Sequence, residues 1–349
     1  DSTVTTRDRA PQIIRAADAR SVDRYGQRVT LFGNIDAGVL RALLPQIPTA
    51  LRAKPCELGD IECRRRMSES LNDDLGRRFG KASDVTLKDH WIPRTDGSQL
   101  RVRIYRKIGS TARGALLYIH GGGMIVSSLE NYDERCMHYC ANTGIPVVSV
   151  DYLLAPESPY PTQIDDALVA LTWMHTSAKD HGWDVERIGI GGDSAGGGLT
   201  AGTVLMNRDT TNLPLACQML VYPMLDDRNV VPDARFPQQF QIWTYVDNET
   251  GWDAYLSGLT DRTDVPIYAA PSRATDLSGL PPTYIDTGTL DIFYDEDVAY
   301  AKQLIADGVG VEGHIWNGAP HGFDYFAFNS AIAKKAWGCR FAFLIKHLA

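Results

Sequence analysis

One short run in this sequence has the makings of a nucleophile. Gly192-Asp193-Ser194-Ala195-Gly196 places a serine between small residues. It follows the short apolar segment Arg187–Gly191 and precedes a small-residue helical stretch, Gly197 to Met206. A serine at a sharp strand-to-helix turn takes a strained backbone, and bulky neighbours would clash there. The following helix points its amino end at the site, which favours negative charge. A phosphate-binding loop is the competing reading, but no lysine follows and the GxxxxGK[ST] spacing is absent.

A hydroxyl is a weak nucleophile at neutral pH and needs a base within hydrogen-bond reach. Nucleophiles of this strand–turn–helix kind are followed along the chain first by an acid and then by a histidine. Of eight histidines only His314, His321 and His347 follow Ser194. His314 lies inside a strand candidate and His347 in an apolar helix near the C-terminus. His321, in Ala319-Pro320-His321-Gly322-Phe323, sits on a turn just past the last strand, where a base belongs. The acid that orients it should follow the preceding strand, and Asp291 comes first after the Gly288 turn. Asp295, Glu296 and Asp297 compete, but they fall at a helix start, where acids favour the dipole anyway. Asp193 reads as a structural hydrogen-bonding group beside the serine.

His120-Gly121-Gly122-Gly123 follows another strand candidate. Glycines leave backbone amides uncovered, and fixed N–H donors stabilise a tetrahedral oxyanion; losing one costs about 10²–10³ in rate. The expected donors are Gly122, Gly123 and Ala195, the residue after the nucleophile. His120 reads as a brace for the loop rather than a base.

Positioning these residues requires a sheet. The segments 88–95 and Gln99–Arg106 read as a hairpin around the Asp96-Gly97 turn. Ala115–Ile119, Ile145–Val150, Arg187–Gly191, Ala216–Tyr222, Thr283–Thr287 and His314–Trp316 read as further strands. Helical stretches such as Pro161–Thr176 and Asp295–Asp307 lie between them. This alternation predicts an α/β fold: a mixed, mostly parallel sheet of about eight strands with helices on both faces. Residues 1–85 read instead as helical pieces broken by Pro45, Pro48 and Pro55. The three arginines Arg64–Arg66 there read as a solvated helix face. Residues 226–265 are too long for a simple connection and carry Phe236, Phe240, Trp243, Tyr245, Trp252 and Tyr255, so they read as part of a lid.

Composition sets outer bounds. The 349 residues are 44% hydrophobic and 22% charged, with a formal charge of −8. An acidic surface gives no help in binding nucleic acid or an anionic membrane, and no run of 18 apolar residues suggests a membrane span. The six cysteines lack the paired spacing of a zinc site, and neither a metal nor a cofactor is implied. Cys217 reads as a core residue. Cys56 and Cys63 lie close enough to bridge, but they read as reduced thiols because a large core needs no staple. The sequence starts at Asp1 without a methionine and shows nothing like a signal peptide. A cytoplasmic protein is expected, or a secreted one if a leader preceded Asp1.

Four blocks together resemble the hormone-sensitive-lipase family of carboxylesterases, also called bacterial family IV. They are His120–Gly123, Asp151-Tyr152-Leu153-Leu154-Ala155-Pro156-Glu157, Gly192–Gly197, and the stretch from Asp276 to Phe323 with Leu277-Ser278-Gly279-Leu280-Pro281-Pro282 and His321-Gly322-Phe323. The similarity spans about residues 86–345, and Asp193 places it in the GDSAG subgroup. It implies an α/β-hydrolase core over 86–349, with a cap from residues 1–85 and the 226–265 insertion. It also implies hydrolysis of small carboxylic esters, of short to medium acyl chain or from secondary metabolism, by Ser194, Asp291 and His321, and it allows a homodimer. Leu153 replaces the family's arginine, so a packing ion pair is expected to be lost. The family's Asp-Pro-Leu-Arg-Asp-Glu becomes Asp291-Ile292-Phe293-Tyr294-Asp295-Glu296. The same machinery would serve a lactone, carbamate or activated amide. Receptors that resemble the family lack the catalytic histidine, which this chain retains.

Overall fold

The computed structural model describes residues 21–22, 28–29, 34–45, 54–236 and 241–349. Pro48 and Phe240 lie outside them. The main sheet has eight strands: β1 (Val85–Pro93), β2 (Gln99–Lys107), β3 (Ala115–Ile119), β4 (Val147–Val150), β5 (Ile188–Asp193), β6 (Cys217–Val221), β7 (Thr283–Gly288) and β8 (Val311–Trp316). Their spatial order is β1-β2-β4-β3-β5-β6-β7-β8. The β1–β2 and β2–β4 pairs are antiparallel and the rest parallel, as the strand–helix alternation predicts.

Side chains alternate across each strand, and the core divides accordingly. On β3, Ala115, Leu117 and Ile119 face one layer, while Leu116 and Tyr118 face the other. The first layer receives α4 (Thr162–Thr176), α5 (Ala195–Asp209) and α7 (Tyr294–Ala306) through Leu171, Leu199 and Leu304. The second receives α3 (Leu129–Thr143) and α8 (Ala331–Leu348) through Tyr139, Trp337 and Leu344. Both faces are therefore covered, which is why β3, β5, β6 and β7 are buried end to end. The turns are built as their residues require: Gly97 takes φ +85° in the β1–β2 hairpin, and Ser128 caps α3 while Gly144 ends it in the left-handed region.

The N-terminal region contributes α1 (Ala37–Leu43) and α2 (Ile61–Phe79). Two expectations fail here. Cys56 and Cys63 are disulfide-bonded, with Cα atoms 5.7 Å apart. The deciding factor is the local turn, not the needs of the core: Arg64 Nη1 donates to the carbonyls of Glu57 and Asp60 and folds the intervening loop back on itself. The arginine run is not a solvated face either. Arg64 is buried and donates to Asp247 Oδ1 at 2.8 Å, on α6 (Tyr245–Tyr255) of the 226–265 insertion. Arg65 makes a two-pronged contact with Glu157 and donates to the Ile125 carbonyl at 3.0 Å. Only Arg66 is exposed. Cys217 is buried in β6, in line with its reading as core.

One arginine lies fully enclosed in the second layer. Arg340 of α8 donates to Asp286 Oδ2 at 2.9 Å and to Asp324 Oδ2 at 2.5 Å. Trp316 and Tyr284 also donate to Asp286, and Tyr222 to Asp324. Removing one partner from a buried pair strands the other charge, at about 3–5 kcal/mol. Arg340→Met is therefore expected to destabilise the fold by about 3–5 kcal/mol in urea unfolding; a loss under about 1 kcal/mol would contradict the stranding of buried charge.

Candidate active site

Ser194 follows β5 and caps the start of α5 with φ +57°, ψ −124°. A non-glycine residue there costs about 1–3 kcal/mol unless its surroundings hold it. Three hydrogen bonds do so: Ser194 N–H to the Val221 carbonyl, and the amides of Met224 and Gly198 to the Ser194 carbonyl, all between 2.9 and 3.1 Å. The neighbouring glycines are there for space. A Cβ on Gly196 would lie 2.0 Å from the Ile119 carbonyl oxygen, and one on Gly198 2.0 Å from that of Met224. Helix α5 thus crosses β3 backbone to backbone.

His321 stands on the loop after β8 with Nε2 2.9 Å from Ser194 Oγ and Nδ1 2.8 Å from Asp291 Oδ2. The hydrogen-bond network assigns the tautomer: Nδ1–H donates to Asp291, and Nε2 is left to accept from the serine hydroxyl. Asp291 Oδ1 accepts from the Phe293 amide at 3.0 Å, so both of its oxygens are fixed. Tyr222 and Phe293 flank the imidazole edge-on, at 4.7 and 5.0 Å between ring centres. The rival acids are elsewhere engaged. Asp295 pairs with Arg235, and Glu296 accepts from the amides of Leu225 and Asp226. Asp297 is buried beside Thr287, and burial pushes its carboxyl well up. The rival histidines are also distant in role: His314 contacts Glu312 and stacks on Trp316, and His347 packs on Phe343.

The three-glycine loop lies against the serine. The Gly121 amide is already committed, donating to Tyr132 Oη at 3.0 Å. The amides of Gly122, Gly123 and Ala195 have no acceptor among the described residues. Gly122 and Gly123 take φ +115° and +56°, and a Cβ on Gly122 would sit 2.3 Å from the Val126 carbonyl oxygen. His120 is enclosed, stacked on Tyr152 at 4.2 Å, and shares a 2.8 Å hydrogen bond with the Gly121 carbonyl. Burial pushes its imidazole pKa down, so it is neutral and Nδ1–H is the donor. It contacts the loop rather than the serine, as a brace would.

Asp193 accepts from Tyr118 at 2.8 Å, from Tyr132 at 2.9 Å and from Arg135. Tyr132 therefore ties the residue before the serine to the glycine loop. Neither Tyr132 nor Arg135 emerges from motif reading. Their signal is weak: two polar residues three apart on one face of α3, pointing into a core. Leu153 makes no ion pair, but its backbone is held by one nearby. Arg94, from the β1–β2 turn, pairs with Asp166, whose carboxylate also accepts from the Leu153 amide.

The arrangement can accept a serine proton, hold the resulting imidazolium and present free amides to an anion. Among the described residues no group of three or more histidine, cysteine or acidic side chains is placed to hold a metal. No helix among them is long and apolar enough to cross a membrane.

Comparison with known proteins identifies the family. The sequence profile of the α/β-hydrolase fold family matches residues 116–325. The chain belongs to that family, and within it to the hormone-sensitive-lipase-like carboxylesterases that its motifs resemble. It is 37% identical over 227 residues to carboxylesterase NlhH of Mycobacterium tuberculosis, covering 64% of this chain and 70% of that one. It is 33% identical over 269 residues to ethyl acetate hydrolase of Pseudomonas putida, covering 75% and 82%. Among solved structures, a bacterial heroin esterase superposes with a TM-score of 0.82 at 33% identity, over 92% of this chain and all of that one.

The close crossing at Gly196 is open to test. Gly196→Ala puts a methyl where the Ile119 carbonyl stands, so helix and serine must shift by a large fraction of an ångström. Esterase activity is expected to fall at least about 10²-fold, as for a 1 Å misplacement of reacting groups. Wild-type turnover in that variant would contradict the packing argument.

Proposed function

We propose that this protein is a serine carboxylesterase that cleaves carboxylic esters, of short to medium acyl chain or from secondary metabolism, through an acyl-enzyme. The observation that carries the reading is the unbroken relay from Ser194 Oγ through His321 to Asp291, at 2.9 and 2.8 Å. As the serine oxygen attacks the acyl carbon, its proton passes to His321 Nε2. Asp291 holds the imidazole in the right tautomer and stabilises the imidazolium. The amides of Gly122, Gly123 and Ala195 receive the negative oxygen. His321 then returns the proton to the departing alkoxide, leaving the acyl group on Ser194. Water, deprotonated by the same histidine, attacks the acyl-enzyme and releases the acid.

Residues 1–85 and 226–265 act in this reading as a cap over the catalytic region 86–349. The Arg64–Asp247 pair supports it, since it ties the two segments together, and so does Arg65 reaching the carbonyl of Ile125 just past the glycine loop.

Ser194→Ala is expected to lower kcat on p-nitrophenyl butyrate at least about 10³-fold while the fold persists. Near-normal turnover would overturn the assignment. Among single Asp→Asn changes at 291, 295 and 297, only that at 291 should cost at least about 10²-fold in kcat. A larger loss at 295 or 297 would reassign the acid.

A further inference from the structure

Three consecutive residues of the 226–265 insertion touch the three loops that carry the triad acid, the base and the glycine donors. Gln241 Nε2 donates to the carbonyl of Leu290, the residue before Asp291, at 2.5 Å. Ile242 lies on Gly322, the residue after His321: a Cβ there would be 2.4 Å from Ile242 Cδ1. Trp243 lies on Gly123, where a Cβ would be 2.1 Å from the indole ring. A strap that contacts all three loops borders the site around Ser194. Its last residue is also the least free to move. The indole is wedged between Gly123 and Gly251 of α6, where a Cβ would lie 3.3 Å from the ring. Its Nε1–H donates to Asn248 Oδ1, and the Asn248 amide donates to the Asn229 carbonyl.

We infer that Gln241-Ile242-Trp243 is the roof of the substrate site and that the Trp243 indole sets the length limit of the acyl chain. The inference rests on the ester-hydrolase reading above. An acyl group whose carbonyl oxygen is held by Gly122 and Gly123 must extend past the ring that covers Gly123. A rigid, doubly anchored indole cannot swing aside for it, so each methylene beyond the limit meets a wall rather than a pocket. Short acyl chains are accepted, and longer ones are penalised.

The test compares the full-length wild type and Trp243→Ala on p-nitrophenyl acetate, butyrate and octanoate, and separately on ethyl and hexyl acetate. The octanoate-to-acetate ratio of kcat/KM is independent of the fraction of enzyme that is folded. It should rise at least about tenfold in Trp243→Ala, with the hexyl-to-ethyl acetate ratio little changed. Trp243→Leu, which keeps an apolar contact on Gly123, should move the acyl ratio in the same direction by about threefold, and it serves if the alanine variant does not fold. An acyl ratio within twofold of wild type, or a larger change in the alcohol series than in the acyl series, would overturn the inference. A wild type that hydrolyses none of these esters would instead sink the esterase reading itself.

Discussion

The site depends on how closely α5 approaches β3. The Ile119 carbonyl oxygen occupies the space a Cβ of residue 196 would need, at 2.0 Å. Because residue 196 is glycine, the helix can begin at once after the serine. Ser194 is then forced to positive φ, and its Oγ rises above the carboxyl edge of the sheet. The same approach brings Ala195 N–H, at the amino end of α5, beside the glycine loop that follows β3. One steric constraint thus sets both the position of the proposed nucleophile and one of the proposed oxyanion donors.

Beneath that edge the protein spends buried charge to hold its loops. Asp193, before the serine, is fixed by two tyrosines and Arg135, and Tyr132 also receives the Gly121 amide. Asp324, three residues after His321, is fixed by Tyr222 and Arg340, and Tyr222 is the ring that flanks the imidazole. The acid loop hangs from β7, where Asp286 shares Arg340. Buried ion pairs are poor sources of stability compared with apolar packing. Their value here is geometric: each places a loop that no regular hydrogen-bonding ladder reaches.

Much of this was legible in the residues. Ala115–Ile119 reads as a buried strand because five apolar residues follow a glycine, and the structure gives those same bounds. The turns that carry Ser194, Asp291 and His321 follow from local pattern, since each sits at the end of its own strand. What escaped reading depends on distant partners. Arg64 looked like part of a solvated run because its carboxylate, Asp247, lies 183 residues away. The Cys56–Cys63 bond turned on how a short loop folds under Arg64, not on the size of the core. Trp243 read as one aromatic among several, because only the fold reveals that its neighbours are two glycines. Local pattern reports the chemistry. The roof proposed over it is a tertiary property.

The central claim is that Ser194 becomes the acylated residue. Incubating the protein with diethyl p-nitrophenyl phosphate and mapping the product by peptide mass spectrometry tests it directly. The account predicts one phosphoryl adduct per chain, on Ser194, appearing in step with loss of esterase activity. Full inactivation with the adduct on another residue, or retained esterase activity with Ser194 fully modified, would contradict it.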